Sequence, residues 1–217
     1  MSTIQHRDIG NPDRIFADGI KLGDLRNMSF DEVIQAYEKR VTDWYFDVSK
    51  DVLNNTASNF MLTAWCCTII DFLSQYRYGK QFSSASYFED FFKEQLPKYD
   101  LSITFPIASV TNKNGKIYSK SISTIAEGFY HGFRCGLIHA GRILEYGRVN
   151  RENQRDAFVI QEWDDNGKKK AEIQLNPVIL LQELEEVFKK YIAGLKHETL
   201  LQNNFKKKFY WEYGIRL

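Results

Sequence analysis

The residues of this chain best suited to chemistry are an arginine and a histidine five positions apart, Arg134 and His139. Arginine stays charged at any physiological pH, and its planar guanidinium matches the oxygens of a phosphate. Histidine is the side chain that most readily takes up and releases a proton near neutral pH. A fixed cation and an imidazole are the minimal groups for cleaving a phosphodiester without a metal ion. The pair therefore predicts such a site, with no metal and no cofactor.

The segment around the pair is apolar, which indicates that its charged groups face a cleft. Burying an unpaired cation would be costly. The surrounding apolar residues are Phe129, Tyr130, Phe133, Leu137 and Ile138. The competing interpretation is a surface arginine beside a buried histidine whose hydrogen bonds are satisfied.

Five further residues are candidates to support the pair: Asp71, Tyr130, His131, Cys135 and Arg142. Tyr130 and Arg142 flank the pair by about one helical turn and could contact substrate. The favoured interpretation is a core position for Tyr130 and a solvated charge at the helix end for Arg142. Asp71 lies inside another apolar stretch, where a carboxylate usually has a partner. It would orient Arg134 or His139, or else bond to a helix end or to Arg77.

A metal site is the alternative chemistry for the same segment. His131, Cys135 and His139 recur every four residues, and imidazole and thiolate are ligands that zinc prefers. Three ligands spread along one helix cannot all reach one ion, because only neighbours four apart converge. Such a site would need another ligand from a different helix, with Asp71 the best candidate.

The elements that position these residues follow from apolar periodicity. Ser29 and Glu32 form a capping box, and Asn176 with Pro177 marks a second helix start. Helical patterns cover about residues 29–52, 57–78, 84–96, 121–146 and 176–194. Asn166-Gly167 between two short alternating segments predicts a β-hairpin, and Asn114-Gly115 a turn in a loop or weaker hairpin.

These patterns predict a mainly α fold, a bundle of four to five long helices with a short β-hairpin insertion. The chain of 217 residues is expected to be a single domain. Its helical core would cover about residues 29–146 and 176–205, with the insertion at about 155–175.

Composition narrows the class of protein. A net charge of +1 argues against a general DNA-coating protein, so any nucleic-acid contact should be a local patch. Three cysteines without paired spacing fit a reducing cytoplasm, and no apolar run is long enough to span a membrane. Phosphate-binding-loop, dinucleotide-binding, serine-hydrolase and zinc-protease motifs are absent from the sequence.

The segment 205–213 interleaves aromatic rings with Lys206, Lys207 and Lys208. Rings that stack on bases and cations that bind phosphates are the composition of a single-stranded RNA contact. The alternative is a helix that docks its rings on the protein body and leaves its lysines in solvent. The run Lys168-Lys169-Lys170 is most simply a solvated hairpin tip.

Spacing alone suggests an assembly. Five residues of α-helix rotate by about 140° net and advance about 7.5 Å, so Arg134 and His139 of one helix do not converge on one small target. A symmetric dimer with two such helices side by side would gather two arginines and two histidines around one cleft. We therefore expect a homodimer with a composite site.

The chain resembles the HEPN superfamily of all-helical domains, whose ribonuclease members carry R-x4-6-H near the end of a late helix. The resemblance rests on the stretch from Phe133 to His139, on the earlier helix ending at residues 70–79, and on the order of the helices, over roughly residues 29–146. The residue after the arginine is often Asn, Asp or His in that family, whereas this chain has Cys135.

The resemblance implies metal-independent RNA cleavage by the ribose 2′-hydroxyl, with His139 as the acid–base group and Arg134 stabilising the charged phosphorane. It also implies a dimeric arrangement and a role in host defence or as a toxin, for which a neutralising protein partner is a natural regulator. The alternative is a HEPN-like module that binds RNA, a nucleotide or a protein without turnover, and Cys135 slightly favours it.

Overall fold

The computed structural model describes residues 11–53, 55–111, 117–144 and 146–217, and it is mainly helical. The chain divides into two compact units. The first unit holds the described residues up to Asp51 together with Asp71–Ser83 and Glu185–Leu217; the second holds Val52–Ile70 and Ser84–Leu184. Neither unit is a contiguous stretch of sequence, because the division falls inside two long helices.

The first unit begins with a short antiparallel ladder and continues into a long helix. Its elements are β1 (Ile15–Ala17), β2 (Ile20–Lys21), α1 (Phe30–Val41), a first π-helical segment (Thr42–Asp47) and most of α2 (Val48–Val52). The ends of α3 (Asn59–Tyr78) and α7 (Pro177–Leu195), with all of α8 (Thr199–Tyr213), complete it. The predicted capping box is confirmed, since Ser29 and Glu32 each accept the other's backbone N–H.

Aromatic side chains fill the core of the first unit. The Tyr37 ring lies 4.8 Å from Tyr76 and 5.1 Å from Phe205, and Phe205 stacks on Phe209 at 5.4 Å. All four side chains are almost completely buried. Contacts between aromatic rings at these distances add to the free energy gained from burial.

The second unit combines helices with two small sheets. Its elements are the start of α3, α4 (Ala85–Gln95), β3 (Ser102–Thr111), β4 (Ile117–Thr124), α5 (Ile125–Gly128), a second π-helical segment (Phe129–Cys135), α6 (Gly136–Ala140), β5 (Gly147–Val149), β6 (Phe158–Asp165), β7 (Lys168–Leu175) and most of α7. Strands β3 and β4 pair antiparallel; β7 lies between β6, antiparallel, and β5, parallel.

The hairpin predicted at Asn166-Gly167 is confirmed. Asp165 pairs with Lys168, and the two turn residues have φ of 55° and 82°, the left-handed values that this turn requires. The expected turn at Asn114-Gly115 lies outside the described residues; β3 and β4, on either side of it, pair antiparallel.

Three predicted boundaries are wrong. The helix expected from about residue 121 begins at Ile125, because the preceding residues belong to β4. It ends at Ala140 rather than near 146, because Gly141 takes a left-handed φ of 63°. Helix α7 runs through Gly194 to Leu195.

Two further findings concern the amount of β structure and the hydropathy of the helices. The β structure exceeds the single insertion expected at 155–175, since all of the strands β1 to β5 lie outside it. Across the described residues, no helix combines the length and apolarity needed to cross a bilayer.

Candidate functional site

Arg134 and His139 lie on one continuous helix of the second unit, formed by α5, the second π-helical segment and α6. Thr124 caps its start by accepting the Glu127 N–H, and the buried Glu127 carboxylate accepts the N–H and hydroxyl of Ser123. A π segment closes its hydrogen bonds over five residues instead of four, and such segments are frequent at functional sites.

One side of this helix is anchored in the aromatic core of the second unit. The Phe129 ring lies 5.7 Å from Phe88, 5.5 Å from Phe92 and 5.1 Å from Phe158. Phe133, one turn later, is also fully buried and lies 5.2 Å from Phe129. These contacts fix the rotation of the helix about its axis.

A second side of the helix is lined by glycines. A Cβ atom on Gly128 would lie 2.3 Å from Cδ1 of Ile173, and one on Gly132 would lie 2.6 Å from the Tyr146 ring. One on Gly136 would lie 2.4 Å from the carbonyl oxygen of Arg142. Only glycine allows neighbouring chain to approach this closely.

The chain after the helix returns along this glycine face. The Arg142 N–H donates to the Gly136 carbonyl at 3.2 Å, and the Leu144 N–H donates to the Gly132 carbonyl at 3.0 Å. The Tyr146 ring then covers Gly132, and burial raises the pKa of its phenol. Two sides of the helix are thus fully packed.

Arg134 lies two positions from both Gly132 and Gly136, which places it on the side opposite the glycines. It is half-buried, and its guanidinium lies 5.4 Å from the centre of the Tyr130 ring. The Tyr130 ring packs edge-on against Phe88 at 5.3 Å. The cation is therefore held at the margin of the core, with part of its surface open to water.

His139 is exposed in the last turn of α6, next to Ile138, which is also exposed. Cys135 and Gly136 have α-helical dihedral angles, so the offset between Arg134 and His139 remains about 140° around the axis. The two groups share a helix and both reach solvent, and helical geometry predicts that they point in different directions on a single protomer.

The supporting candidates have different surroundings. His131 is half-buried with its ring edge-on to Tyr130 at 5.2 Å, Cys135 is a half-buried free thiol, and Arg142 is exposed. Asp71 belongs to the first unit, is half-buried, and accepts a hydrogen bond from the Ser83 hydroxyl. In the part of the chain that the structure describes, no three His, Cys, Asp or Glu side chains form a metal-binding group.

The three lysines proposed to contact RNA are not equivalent. Lys207 is exposed and Lys206 half-buried, but Lys208 is only 8% exposed. The Lys208 ammonium donates to Gln75 at 2.7 Å and lies 3.5 Å from the Glu212 carboxylate. Lys208 is therefore removed from the set of three lysines predicted to contact RNA, because it lies on the face of α8 that packs into the first unit.

Sequence reasoning missed the glycine face and the π segment. The glycines recur every four residues, and this spacing is visible in the sequence. The π segment has no comparable signal, because the apolar periodicity around it continues as in an α-helix.

Comparisons with protein-family models, with curated proteins and with solved structures each find no match to this chain. The function must therefore be inferred from the site itself.

Proposed function

We propose that the protein is a metal-independent endoribonuclease of the HEPN type that acts as a homodimer. The observation that carries the proposal is the placement of Arg134 and His139 on one helix. Two sides of that helix are packed by aromatic rings and returning chain, while both functional groups keep access to solvent. A cation and an imidazole held this way fit a phosphate on the RNA backbone.

The chemistry would proceed by attack of a ribose 2′-oxygen on the adjacent phosphorus. His139 accepts the proton of the 2′-hydroxyl and, once protonated, donates a proton to the departing 5′-oxygen. Arg134 stabilises the negative charge that builds on the phosphorane oxygens. The products are a 2′,3′-cyclic phosphate and a free 5′-hydroxyl.

The dimer is part of the proposal because one protomer offers the two groups about 140° apart. A two-fold axis beside the helix would place Arg134 of one protomer opposite His139 of its partner. Two-fold dimers are the commonest closed assembly. The exposed Ile138, between these groups, supplies apolar surface for such a contact.

We further propose the cellular setting that the HEPN resemblance implies. A ribonuclease of this kind would act in the cytoplasm, in host defence or as a toxin, and a neutralising protein would hold it in check. Half-buried Tyr130, His131 and Cys135 would line the site, and exposed Arg142 would add a phosphate contact.

Cleavage of labelled single-stranded RNA in EDTA tests the proposal. His139→Ala is expected to slow cleavage by about 10²–10⁴-fold. His197→Ala, which removes another exposed histidine in the first unit, is the matched control and should cleave at the wild-type rate. RNA with a 2′-deoxyribose at the cleavage position should resist cutting.

The outcomes separate the proposal from its rivals. Unchanged cleavage by His139→Ala would overturn the assignment of the active site. Tight RNA binding without any cleavage by the wild type would favour the non-catalytic binding module, and cleavage that appears only with added metal would revive the metal-site alternative.

Complementation tests the dimer. Refolding Arg134→Ala together with His139→Ala creates heterodimers in which one protomer supplies the arginine and the other the histidine. The mixture should recover cleavage that neither variant shows alone. A mixture as inactive as its components, with the dimer intact by sedimentation, would contradict a site shared between protomers.

A further inference from the structure

The outward face of α8 in the first unit combines cations with aromatic rings and belongs to no site described above. Its positions follow helical spacing: Leu200, Asn203, Lys207, Tyr210 and Trp211, with Arg216 just past the helix end. Lys207 and Arg216 are exposed and the two rings are half-buried. This stripe holds no acidic residue.

Each cation of this region lies over a ring. The Lys207 ammonium is 5.0 Å from the Trp211 ring, and the Arg216 guanidinium is 5.3 Å from the Tyr210 ring. Lys206 and Lys208 lie 4.3 Å and 5.8 Å from other rings. All four cations, within eleven residues, lie inside the range of about 6 Å over which a ring attracts a cation.

We propose that the Lys207–Tyr210–Trp211–Arg216 face of α8 is a docking surface for single-stranded RNA. Nucleobases stack on aromatic rings and on the plane of an arginine guanidinium, and lysine and arginine bind the phosphates between them. The charge complementarity is direct, because the face carries two exposed cations without a neighbouring carboxylate on the stripe. As an RNA surface it deepens the proposed ribonuclease function and rests on it.

An anionic membrane is the competing occupant, and the face is poorly shaped for it. A helix lying in a bilayer surface needs a continuous apolar stripe. Leu200 is 72% exposed but lies about 16 Å along the axis from Trp211. The exposed positions between them on this stripe are the polar Asn203 and Lys207.

The test measures binding of a fluorescein-labelled 12-nucleotide oligouridine by anisotropy, in EDTA and in the His139→Ala background. Lys207→Ala/Arg216→Ala is expected to weaken binding roughly 10- to 30-fold at 0.1 M salt and to reduce the slope of log affinity against log salt by about 1.4. The control, Lys190→Ala/Arg26→Ala, removes the same charge from exposed positions of the same unit. It should change affinity less than about threefold.

Stacking is tested separately from charge. Trp211→Leu keeps apolar volume but removes the aromatic face, and binding should weaken about 5- to 100-fold with little change in the salt slope. Trp211→Phe keeps a ring and should stay near the parent affinity. Circular dichroism melts of each variant establish that the unit remains folded.

Several results would overturn the inference. One is equal weakening by the α8 and control double variants; another is a Trp211→Leu variant that binds oligouridine as the parent does. Lys207-dependent binding to vesicles of phosphatidylcholine and phosphatidylserine, with RNA affinity unchanged, would assign the face to a membrane instead. The protein with His139 intact should be assayed for RNA cleavage in parallel. If it cleaves RNA while any of these results is obtained, this inference is wrong but the ribonuclease proposal stands.

Discussion

The two π-helical segments, Thr42–Asp47 in the first unit and Phe129–Cys135 in the second, each contain an aromatic ring that lies beside an arginine, and the two arginines have different uses. Arg40 lies 3.8 Å from the Trp44 ring and 5.1 Å from Phe16, and it donates to the Phe16 carbonyl. Arg134 lies 5.4 Å from the centre of the Tyr130 ring and keeps part of its surface in solvent. The same pair of residue types serves to join a strand to a helix in one place and to present a cation in the other.

The first prediction tests, by measuring activity, whether Arg134 has the functional role that Arg40 lacks. Arg134→Ala should reduce RNA cleavage by about 10²–10³-fold, because it removes a preorganised cation from the charged transition state. Its melting temperature should stay close to that of the wild type. Single-turnover kinetics and thermal unfolding measure the two effects.

The matching variant Arg40→Ala should show the reverse behaviour, with wild-type cleavage per folded molecule. If Arg40→Ala lost activity while folded, or Arg134→Ala kept it, the functional distinction between the two arginines would be wrong.

The second prediction concerns stability at the first π segment. Arg40→Ala should lower the free energy of unfolding by about 2–3 kcal/mol, through loss of a charged hydrogen bond to Phe16 and of contacts with two rings. Arg40→Lys keeps the charge without the planar group and should recover only part of the loss. Urea unfolding measures both; full recovery by lysine would show that charge alone matters.

The third prediction concerns the glycine face of the second segment. Glycine to alanine ordinarily stabilises a helix, by about 0.5–1 kcal/mol. Gly136→Ala should instead destabilise by about 1–3 kcal/mol, since its Cβ meets the Arg142 backbone oxygen. Gly132→Ala meets the Tyr146 ring, so Tyr146→Leu should rescue it but should not rescue Gly136→Ala.

The fourth and smallest effect distinguishes tyrosines of the two units at neutral pH. Among the described residues the buried Tyr37 hydroxyl has no hydrogen-bond partner, so Tyr37→Phe should change stability by less than about 1 kcal/mol at pH 7. In the second unit the Tyr99 hydroxyl accepts the Ala157 N–H at 2.7 Å and donates to Glu183 at 3.0 Å. Tyr99→Phe should therefore cost about 1–3 kcal/mol.

At alkaline pH the wild type should lose stability relative to Tyr37→Phe. Burial raises the pKa of the Tyr37 phenol well above its ordinary value of 10.0. Above that value the unfolded chain loses a proton that the folded chain keeps, so wild-type stability falls by up to about 1.4 kcal/mol per pH unit for this group. Tyr37→Phe lacks this dependence, and urea unfolding between pH 7 and 11 should show the two curves separating above pH 10.

Local signals in the sequence predicted much of the fold. Ser29 with Glu32, Asn176 with Pro177 and the turn at residues 166–167 each act within a few residues, so their effects are readable without tertiary context. The start of α5 was not predicted, although the Thr124 side chain accepts the Glu127 N–H there as Ser29 accepts that of Glu32. Apolar Ile122 and Ile125 extend the helical spacing backwards across that boundary, and the pairing of β4 with β3 overrides it.

The sequence predicted which residues belong to the candidate site, but it did not predict what surrounds them in the fold. The exposure of Arg134 depends on which sides of its helix are covered by distant chain, and no spacing rule gives that. The burial of Lys208, by contrast, could have been predicted from the sequence. Lys208 falls on the same stripe of α8 as the buried Leu201 and Phe205, so helical periodicity alone indicates that it is buried.

The hydrogen bond from the Leu144 amide to the Gly132 carbonyl makes that proton a built-in reporter. It can exchange with deuterium only when the returning chain lifts from the π segment, so its protection measures how firmly the helix bearing Arg134 is held. A ligand that tightens the site would slow this one exchange rate, and a spectroscopist could follow occupancy at a single resonance, away from any bound molecule.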